Sequence, residues 1–234
     1  MNISISHLSH SYDVQVLNDL HLSLEGYKSI AIIGVSGSGK STLLRILSGL
    51  EKPTTGVVEI NNHSVDSDQY RKSVGFVFQH HNLFPHLTLL KNITLILEKT
   101  RGYTHKEAQD RAMKFLELLH LADQAGKLPK HVSGGQAQRG SIARALSLDP
   151  EVIFLDEPTS ALDPILTYEV LSAIKELRDV GKAFILVSHV ISFVKDFADY
   201  ILFMHKGHIY EQGPPSILDN PQTQEFKDFM AKVP

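Results

Sequence analysis

The sequence has no cysteine and no tryptophan in its 234 residues. Without cysteine it can form no disulfide, no thiolate metal site and no cysteine nucleophile. Long hydrophobic runs are also missing: apolar stretches such as residues 29–35 and 152–155 are far shorter than the roughly 18 residues of a membrane-spanning helix. The first ten residues carry neither a basic flank nor an apolar core, so no secretory signal is predicted.

The sequence also lacks a large excess of either positive or negative charge. Lysine and arginine number 23, aspartate and glutamate 26, and the net charge is −3. This balance argues against a dedicated nucleic-acid-binding protein, which would carry a strong positive excess. With 42% hydrophobic and 21% charged residues, the composition is that of a globular protein. The default compartment is the cytosol, and any association with a membrane would come through a partner or a surface.

Hydrophobic patterning divides the chain into strands and helices. Residues 3–8 and 20–24 alternate apolar and polar side chains, as strands with one wet face do. Residues 28–33, 152–155 and 183–188 are nearly continuous apolar runs, which indicates parallel strands buried on both faces. The sequence therefore predicts an α/β fold with a mostly parallel core sheet and an N-terminal antiparallel β subdomain.

The middle third of the chain has helical patterning instead. Capping boxes at Thr104/Glu107 and Ser133/Gln136 mark helix starts, and a helical subdomain inserted at about 87–148 is predicted. We expect one domain over residues 1–234. No accessory regulatory domain is expected, because only about 20 residues follow Gly213.

A glycine-rich segment at residues 34–41 fits the pattern G-x-x-x-x-G-K-[ST] between a buried strand and an amphipathic helix. Its glycines let the backbone wrap around an anion, and its amides point at phosphate oxygens. Lys40 adds a positive charge, Ser41 a hydroxyl for magnesium, and Thr42 lies near the α-phosphate. The alternative is a flexible Gly/Ser turn. The candidate phosphate-binding residues are Gly34, Ser36, Gly37, Ser38, Gly39, Lys40, Ser41 and Thr42.

Two acidic residues, Asp156 and Glu157, follow the apolar run 152–155 directly. Carboxylates at the end of a buried parallel strand lie at the sheet edge where ligands bind. Asp156 is predicted to hold magnesium and Glu157 to take a proton from an attacking water. The alternative is a solvated acidic turn.

A second helix start suited to anions is Ser133-Gly134-Gly135-Gln136. One phosphate loop already accounts for the triphosphate in this chain. A second anion site therefore needs another ligand or another subunit, and the alternative is an ordinary serine N-cap.

Taken in order, these segments resemble the nucleotide-binding subunit of an ATP-binding cassette (ABC) transporter, over essentially the whole chain. The resemblance rests on residues 34–41, Gln79, residues 133–136, Asp156-Glu157, residues 160–163 and His189. Within that family the chain most resembles the polar amino acid importers, through segments 77–87, 138–146 and 211–215. The fold implied is the P-loop ABC-ATPase fold.

The resemblance also implies roles for single residues. Tyr12 would stack on adenine, although it could also be a strand-edge tyrosine. Gln79 would reach magnesium and the attacking water, and His189 would hold the γ-phosphate. Asp163 would cross to a partner cassette while capping the helix that starts at Pro164. Ser133, Gly135 and Gln136 would bind the ATP of that partner.

The mechanism implied is a head-to-tail pair of identical chains with two ATP molecules and Mg²⁺ between them. ATP binding closes the pair, hydrolysis opens it, and the motion reaches transmembrane permease subunits. A substrate-binding protein would be an indirect partner, and the chain would lie at the cytoplasmic face of the membrane. The alternatives are an ATPase for an exporter or lipoprotein-releasing system, and a non-transport ABC protein, which usually carries two cassettes or a long coiled-coil insertion.

Some positions depart from the family pattern. His80 and His81 stand where importers more often have Gln or Phe, and Gly140-Ser141 replaces Val-Ala. A glycine inside a helix costs about 1 kcal/mol relative to alanine. Leu83 and Phe84 are apolar residues on a predicted loop after Gln79. They could seal the helical subdomain or form a groove for a permease helix.

Overall fold

The structure is a computed structural model that describes residues 1–160 and 162–233. Ala161, within the predicted 160–163 segment, and Pro234 lie outside the described residues. The larger sheet has six strands in the order β10-β9-β3-β8-β7-β6. These are β3 (Ser29–Gly34), β6 (Val74–Val77), β7 (Val152–Asp156), β8 (Ala183–Val187), β9 (Tyr200–His205) and β10 (His208–Gly213).

The five strands other than β10 run parallel, and β10 pairs antiparallel with β9 through the Lys206-Gly207 turn. Every residue of β3 and β7 is buried. Successive side chains of a strand point to opposite faces, so Ile30 and Ile32 enter one hydrophobic core and Ala31 and Ile33 the other. The two cores confirm the parallel sheet predicted from the continuous apolar runs.

A smaller antiparallel sheet covers one face of the core sheet, in the order β2-β1-β4-β5. Its strands are β1 (Ile3–Ser11), β2 (Gln15–Leu24), β4 (Thr55–Ile60) and β5 (His63–Ser64). The buried side chains of β1 and β2 pack on the core that contains Ile30 and Ile32. The alternating pattern at the N-terminus therefore predicted the correct type of sheet.

Eight α-helices occur in the described part of the chain. They are α1 (Lys40–Leu47), α2 (Asp68–Ser73), α3 (Leu89–Arg101), α4 (His105–Leu118), α5 (Gly134–Ser147), α6 (Pro164–Asp179), α7 (Ile191–Phe197) and α8 (Gln224–Met230). The sequence patterns did not predict α2 and α7, because six or seven residues are too few for a 3.6-residue period to stand out. Among the described residues, no helix combines the length and the apolar character that crossing a membrane requires.

The helix starts match the sequence signals. Both predicted capping boxes form, at Thr104/Glu107 and Ser133/Gln136. The Asp163 carboxylate accepts hydrogen bonds from the amides of Ile165 and Leu166, at 2.9 and 3.0 Å. These caps fix where α4, α5 and α6 begin.

Helices α3, α4 and α5 pack on one another within the predicted 87–148 segment. Helix α5 approaches α3 closely at Gly140, where an added Cβ would lie 3.2 Å from Leu89 Cδ2. The boundaries of this segment as a separate subdomain remain a prediction.

Candidate functional site

The candidate residues collect at the carboxyl edge of the parallel strands. The glycine-rich segment follows β3, Gln79 follows β6, Asp156-Glu157 ends β7 and His189 follows β8. Strands β6, β7, β8 and β3 are neighbours in the sheet, so parallel pairing brings four distant stretches of sequence to one edge.

The glycines of the 34–41 segment are required by its geometry. Gly37 and Gly39 have φ of 77° and 97°, in the left-handed region that other residues rarely adopt. A Cβ on Gly39 would lie 2.7 Å from Leu17 Cδ2, and one on Gly34 would lie 2.1 Å from the Met204 carbonyl oxygen. The loop is thus wedged between the two sheets in a conformation that side chains would prevent.

Polar groups within this loop are buried. Ser38, Lys40 and Thr42 are each less than a tenth exposed. The Ser38 hydroxyl has no hydrogen-bond partner among the residues that the structure describes. A buried polar atom without a partner is costly, and an incoming phosphate oxygen could satisfy it.

The Lys40 ammonium donates a hydrogen bond to the carbonyl of Val35, at 2.9 Å. Burial lowers the pKa of Lys40, and the negative charges of Glu157 and Asp156 oppose that shift. Lys40 therefore lies where both its own loop and the acidic pair attract a positive charge.

Asp156 is in contact with the phosphate loop. The Ser41 hydroxyl donates to Asp156 Oδ1 at 2.7 Å, and Arg45 Nη2 lies 3.8 Å from Oδ2. Burial raises the pKa of Asp156, while Ser41, Arg45 and Lys40 act in the opposite direction. A hydroxyl and a carboxylate side by side are the hard oxygen donors that Mg²⁺ prefers, so these residues fit that ion.

Glu157 is paired with the histidine at the end of the next strand. His189 Nε2 lies 2.7 Å from Glu157 Oε1, and the Glu157 amide donates to the carbonyl of Val187 at 3.0 Å. Glu157 has φ of 45°, a strained value for a residue with a side chain. The Glu157 carboxylate points along the sheet edge toward His189.

Gln79 is exposed two residues after the end of β6. The carbonyl of the preceding residue, Phe78, accepts a 3.0 Å hydrogen bond from the amide of Gln138, which is buried on α5. Sequence reasoning missed Gln138. A polar residue on the buried face of a helix was a signal, but it did not identify the partner.

The two apolar residues of the loop after Gln79 differ in burial. Leu83 is 6% exposed and belongs to the core, whereas Phe84 is 40% exposed and lies under the Arg144 guanidinium, 5.9 Å from the ring centre. The fully buried Asn92 accepts from the Phe84 amide at 2.7 Å and donates to its carbonyl at 3.2 Å. The backbone is therefore fixed on both sides of an exposed aromatic ring.

Tyr12 is half exposed and lies beside the phosphate-loop helix. Burial and the nearby Glu51 side chain raise the pKa of Tyr12, and the nearby Thr42 side chain opposes them. Its ring meets His10 edge to face, with centroids 4.7 Å apart. Tyr12 therefore presents exposed aromatic surface near the loop.

The residues at the start of α5 are placed differently. In the described structure, Ser133 and Gln136 bond to each other in the capping box and make no hydrogen bond to the phosphate loop. The start of α5 instead packs on the start of α6, where a Cβ on Gly135 would lie 3.1 Å from Leu166 Cβ. Ser133 is exposed, and its hydroxyl accepts from the Gln136 amide, so its proton remains free to donate.

The fold and the edge site are those of a nucleotide-binding cassette. Residues 17–160 match the family model described as ABC transporter, and the chain belongs to that family. The glutamine transport ATP-binding protein of Geobacillus stearothermophilus is 41% identical over 94% of both chains. The glutamate transport ATP-binding protein of Corynebacterium efficiens is 43% identical over the same share. The arginine transport ATP-binding protein of Haemophilus influenzae is 38% identical over 99% of this chain and 100% of its own.

Solved structures agree on the fold. A dimeric ATP-binding cassette in a post-hydrolysis state, bound to ADP and phosphate, superposes with a TM-score of 0.81. It is 34% identical, and the match covers 91% of this chain and 98% of that one. The predicted P-loop ABC-ATPase fold and ATPase class are confirmed, and the chain is an ATP-binding ATPase of this family.

Proposed function

We propose that this ATPase energises the import of a polar amino acid. The support for the cargo is the set of relatives around 40% identical over nearly their whole length, whose names specify glutamine, glutamate and arginine transport. ATP hydrolysis is supported by two contacts at the edge of the sheet. Ser41 contacts Asp156 and His189 contacts Glu157, both at 2.7 Å.

The nucleotide is bound by the phosphate loop. Backbone amides from Ser36 to Ser41 surround the β- and γ-phosphates, and Lys40 exchanges its hydrogen bond with Val35 for phosphate oxygens. Thr42 lies by the α-phosphate, and Tyr12 stacks on the adenine. Glycines 34, 37 and 39 allow the close approach of the backbone.

Ser41, Asp156 and Gln79 form the magnesium site. The Ser41–Asp156 hydrogen bond keeps the two oxygens together before the ion binds. When bound, magnesium neutralises charge on the phosphate oxygens. Arg45 partly balances the buried Asp156 in the nucleotide-free chain.

Hydrolysis depends on Glu157, His189 and Gln79. Glu157 accepts the proton of the attacking water, Gln79 positions that water, and His189 holds the γ-phosphate. In the free chain the side chains of His189 and Glu157 are hydrogen-bonded to each other. His189 must therefore turn from Glu157 to the phosphate before the carboxylate can act as a base.

A second copy of the chain completes each site. Ser133, Gly135 and Gln136 of one chain bind the ATP held by Lys40 of the other, and Asp163 crosses the same interface. The placement of Ser133 away from its own phosphate loop supports this arrangement, as does the dimeric state of the similar cassette. The pair acts on transmembrane permease subunits at the cytoplasmic face of the membrane, and a substrate-binding protein delivers the cargo.

The test is Glu157→Gln, whose amide keeps the shape of the side chain but cannot accept a proton. We expect ATP binding to persist, hydrolysis to fall by at least about 100-fold and ATP to trap a stable dimer. Steady-state ATPase rate and light scattering measure both effects. Glu151→Gln, at the opposite end of β7, is the control and should match wild type. Hydrolysis near the wild-type rate in Glu157→Gln would show that Glu157 is not the base.

A further inference from the structure

The exposed surface of the antiparallel sheet carries a group of three side chains that can ligate a metal. None of them has a role in the proposed ATP site. Nitrogen or oxygen atoms of His7, Asp19 and His21 all lie within 4.8 Å of one another. His7 lies on β1 and the other two residues lie on β2, so the group joins two paired strands.

Matching irregularities in both strands create the group. In β1 two exposed residues, Ser6 and His7, separate the buried Ile5 from the buried Leu8, and in β2 Asn18 and Asp19 do the same between Leu17 and Leu20. His7 and Asp19 both have left-handed backbone, with φ of 52° and 45°. Facing bulges thus turn an imidazole and a carboxylate toward the same point.

Donor atoms are already close to the spacing that a metal requires. Asp19 Oδ1 lies 3.0 Å from His7 Nδ1 and 3.2 Å from His21 Nε2. Tetrahedral coordination with bonds of about 2.0–2.1 Å places ligand atoms about 3.3 Å apart. All three ligand atoms lie within 4.8 Å of one another, so the two imidazoles need only close around Asp19 to complete the set.

Exposure leaves room for an ion and for water to complete its shell. The side chains of His7, Asp19 and His21 are 77%, 61% and 51% exposed. The Asp19 amide donates to Ser9 Oγ at 2.9 Å, which fixes the backbone of the central ligand. Two imidazoles with one carboxylate favour zinc and its transition-metal neighbours over Mg²⁺ or Ca²⁺.

We propose that His7, Asp19 and His21 form a surface binding site for a divalent transition-metal ion, with zinc as the representative ion. The ion displaces the protons shared between the ligands and joins β1 to β2. It binds the folded sheet more tightly than the unfolded chain, and so it stabilises the folded protein.

The experiment uses the untagged full chain without nucleotide, in buffer with excess Mg²⁺ to occupy sites that prefer hard cations. Zinc is titrated in competition with a chromophoric chelator. We expect the double variant His7→Ala/His21→Ala to lose one equivalent of bound zinc, and Asp19→Asn to bind about tenfold more weakly or worse. Zinc should raise the Tm of the wild type and not that of the double variant.

His105→Ala is the matched control. His105 also lies on the surface beside a carboxylate, with Nδ1 2.8 Å from Glu98 Oε1, but that pair has no third ligand within the described residues. Its zinc stoichiometry and affinity should equal those of wild type. Asp19→Asn preserves side-chain shape, and an unchanged Tm without zinc would show that it folds. The same zinc stoichiometry and affinity in wild type and the double variant would overturn the proposal, as would the absence of saturable binding.

Discussion

At the residue scale, the burial of Asp156 opposes the stability of the nucleotide-free chain. Its side chain is 6% exposed, and burial raises its pKa despite Ser41 and Arg45. A raised pKa in the folded chain means that the ionised form is less favourable there than in the unfolded chain. Ionisation of Asp156 therefore lowers the free energy of unfolding as pH rises from its pKa in the unfolded chain, about 4, to its higher pKa in the folded chain.

We accordingly predict that Asp156→Asn raises the Tm of the nucleotide-free chain by a few degrees at pH 7 and weakens Mg²⁺-dependent nucleotide binding. The difference in Tm should disappear at low pH, where both side chains are neutral. Thermal unfolding across pH measures it. Asp149→Asn is a control that should lower the Tm at pH 7, because the hydrogen bond from Lys182 lowers the pKa of Asp149. A lower Tm for Asp156→Asn at pH 7 would contradict this account.

At the scale of elements, the segment between β6 and α3 joins the site to the helices. Gln138 on α5 holds the carbonyl of Phe78 next to Gln79, and Asn92 on α3 holds the backbone of Phe84. Both side chains are buried and bonded, so helices α3 and α5 hold the backbone at both ends of this segment.

Phe84→Ala should leave the isolated chain folded and able to hydrolyse ATP while weakening its assembly with the permease. The ring is 40% exposed, so its loss affects the core little, but an aromatic anchor often dominates an interface. We expect assembly to weaken by about tenfold or more, measured by co-purification beside Tm and ATPase rate. Leu118→Ala on α4, where the side chain is 42% exposed, is the matched control. A collapse in Tm would favour a core role for Phe84, and normal assembly and transport would reject the docking role.

At the scale of the whole molecule, the residues proposed to bind ATP lie in two regions of the surface. The phosphate loop, Asp156 and Glu157 lie at the sheet edge, whereas Ser133 and Asp163 begin neighbouring helices that pack together. In the proposed dimer, a single chain binds nucleotide through the first region, and the second region of a partner encloses it.

Ser133→Arg is predicted to leave nucleotide binding by the single chain intact and to abolish ATP-driven dimer closure. Lys40→Ala should weaken binding by the single chain itself. Loss of a serine cap costs about 1 kcal/mol, so stability must be controlled. Thr104→Arg removes the same kind of capping box from α4 and should dimerise normally. Nucleotide titration and light scattering separate the outcomes; equal loss of monomer affinity in Ser133→Arg and Lys40→Ala would refute the shared site.

The sequence by itself determined the elements whose causes are local. The apolar runs specified the parallel strands, and Ser133, Asp163 and Thr104 specified helix starts, because caps and period depend on neighbours in the chain. The residues of the phosphate loop were identifiable for the same reason, since their spacing encodes a turn that must enclose an anion.

Only the tertiary structure decided the contacts between distant segments. Strand pairing brought Ser41 to Asp156 and Glu157 to His189, and it brought His7 to Asp19 through bulges that no periodicity reveals. It also separated Leu83, which is buried, from Phe84, which is exposed, although both are apolar neighbours. The physical reason is that the hydrophobic effect is non-directional and favours the burial of any apolar side chain. Which side chain is buried depends on packing from elements remote in sequence.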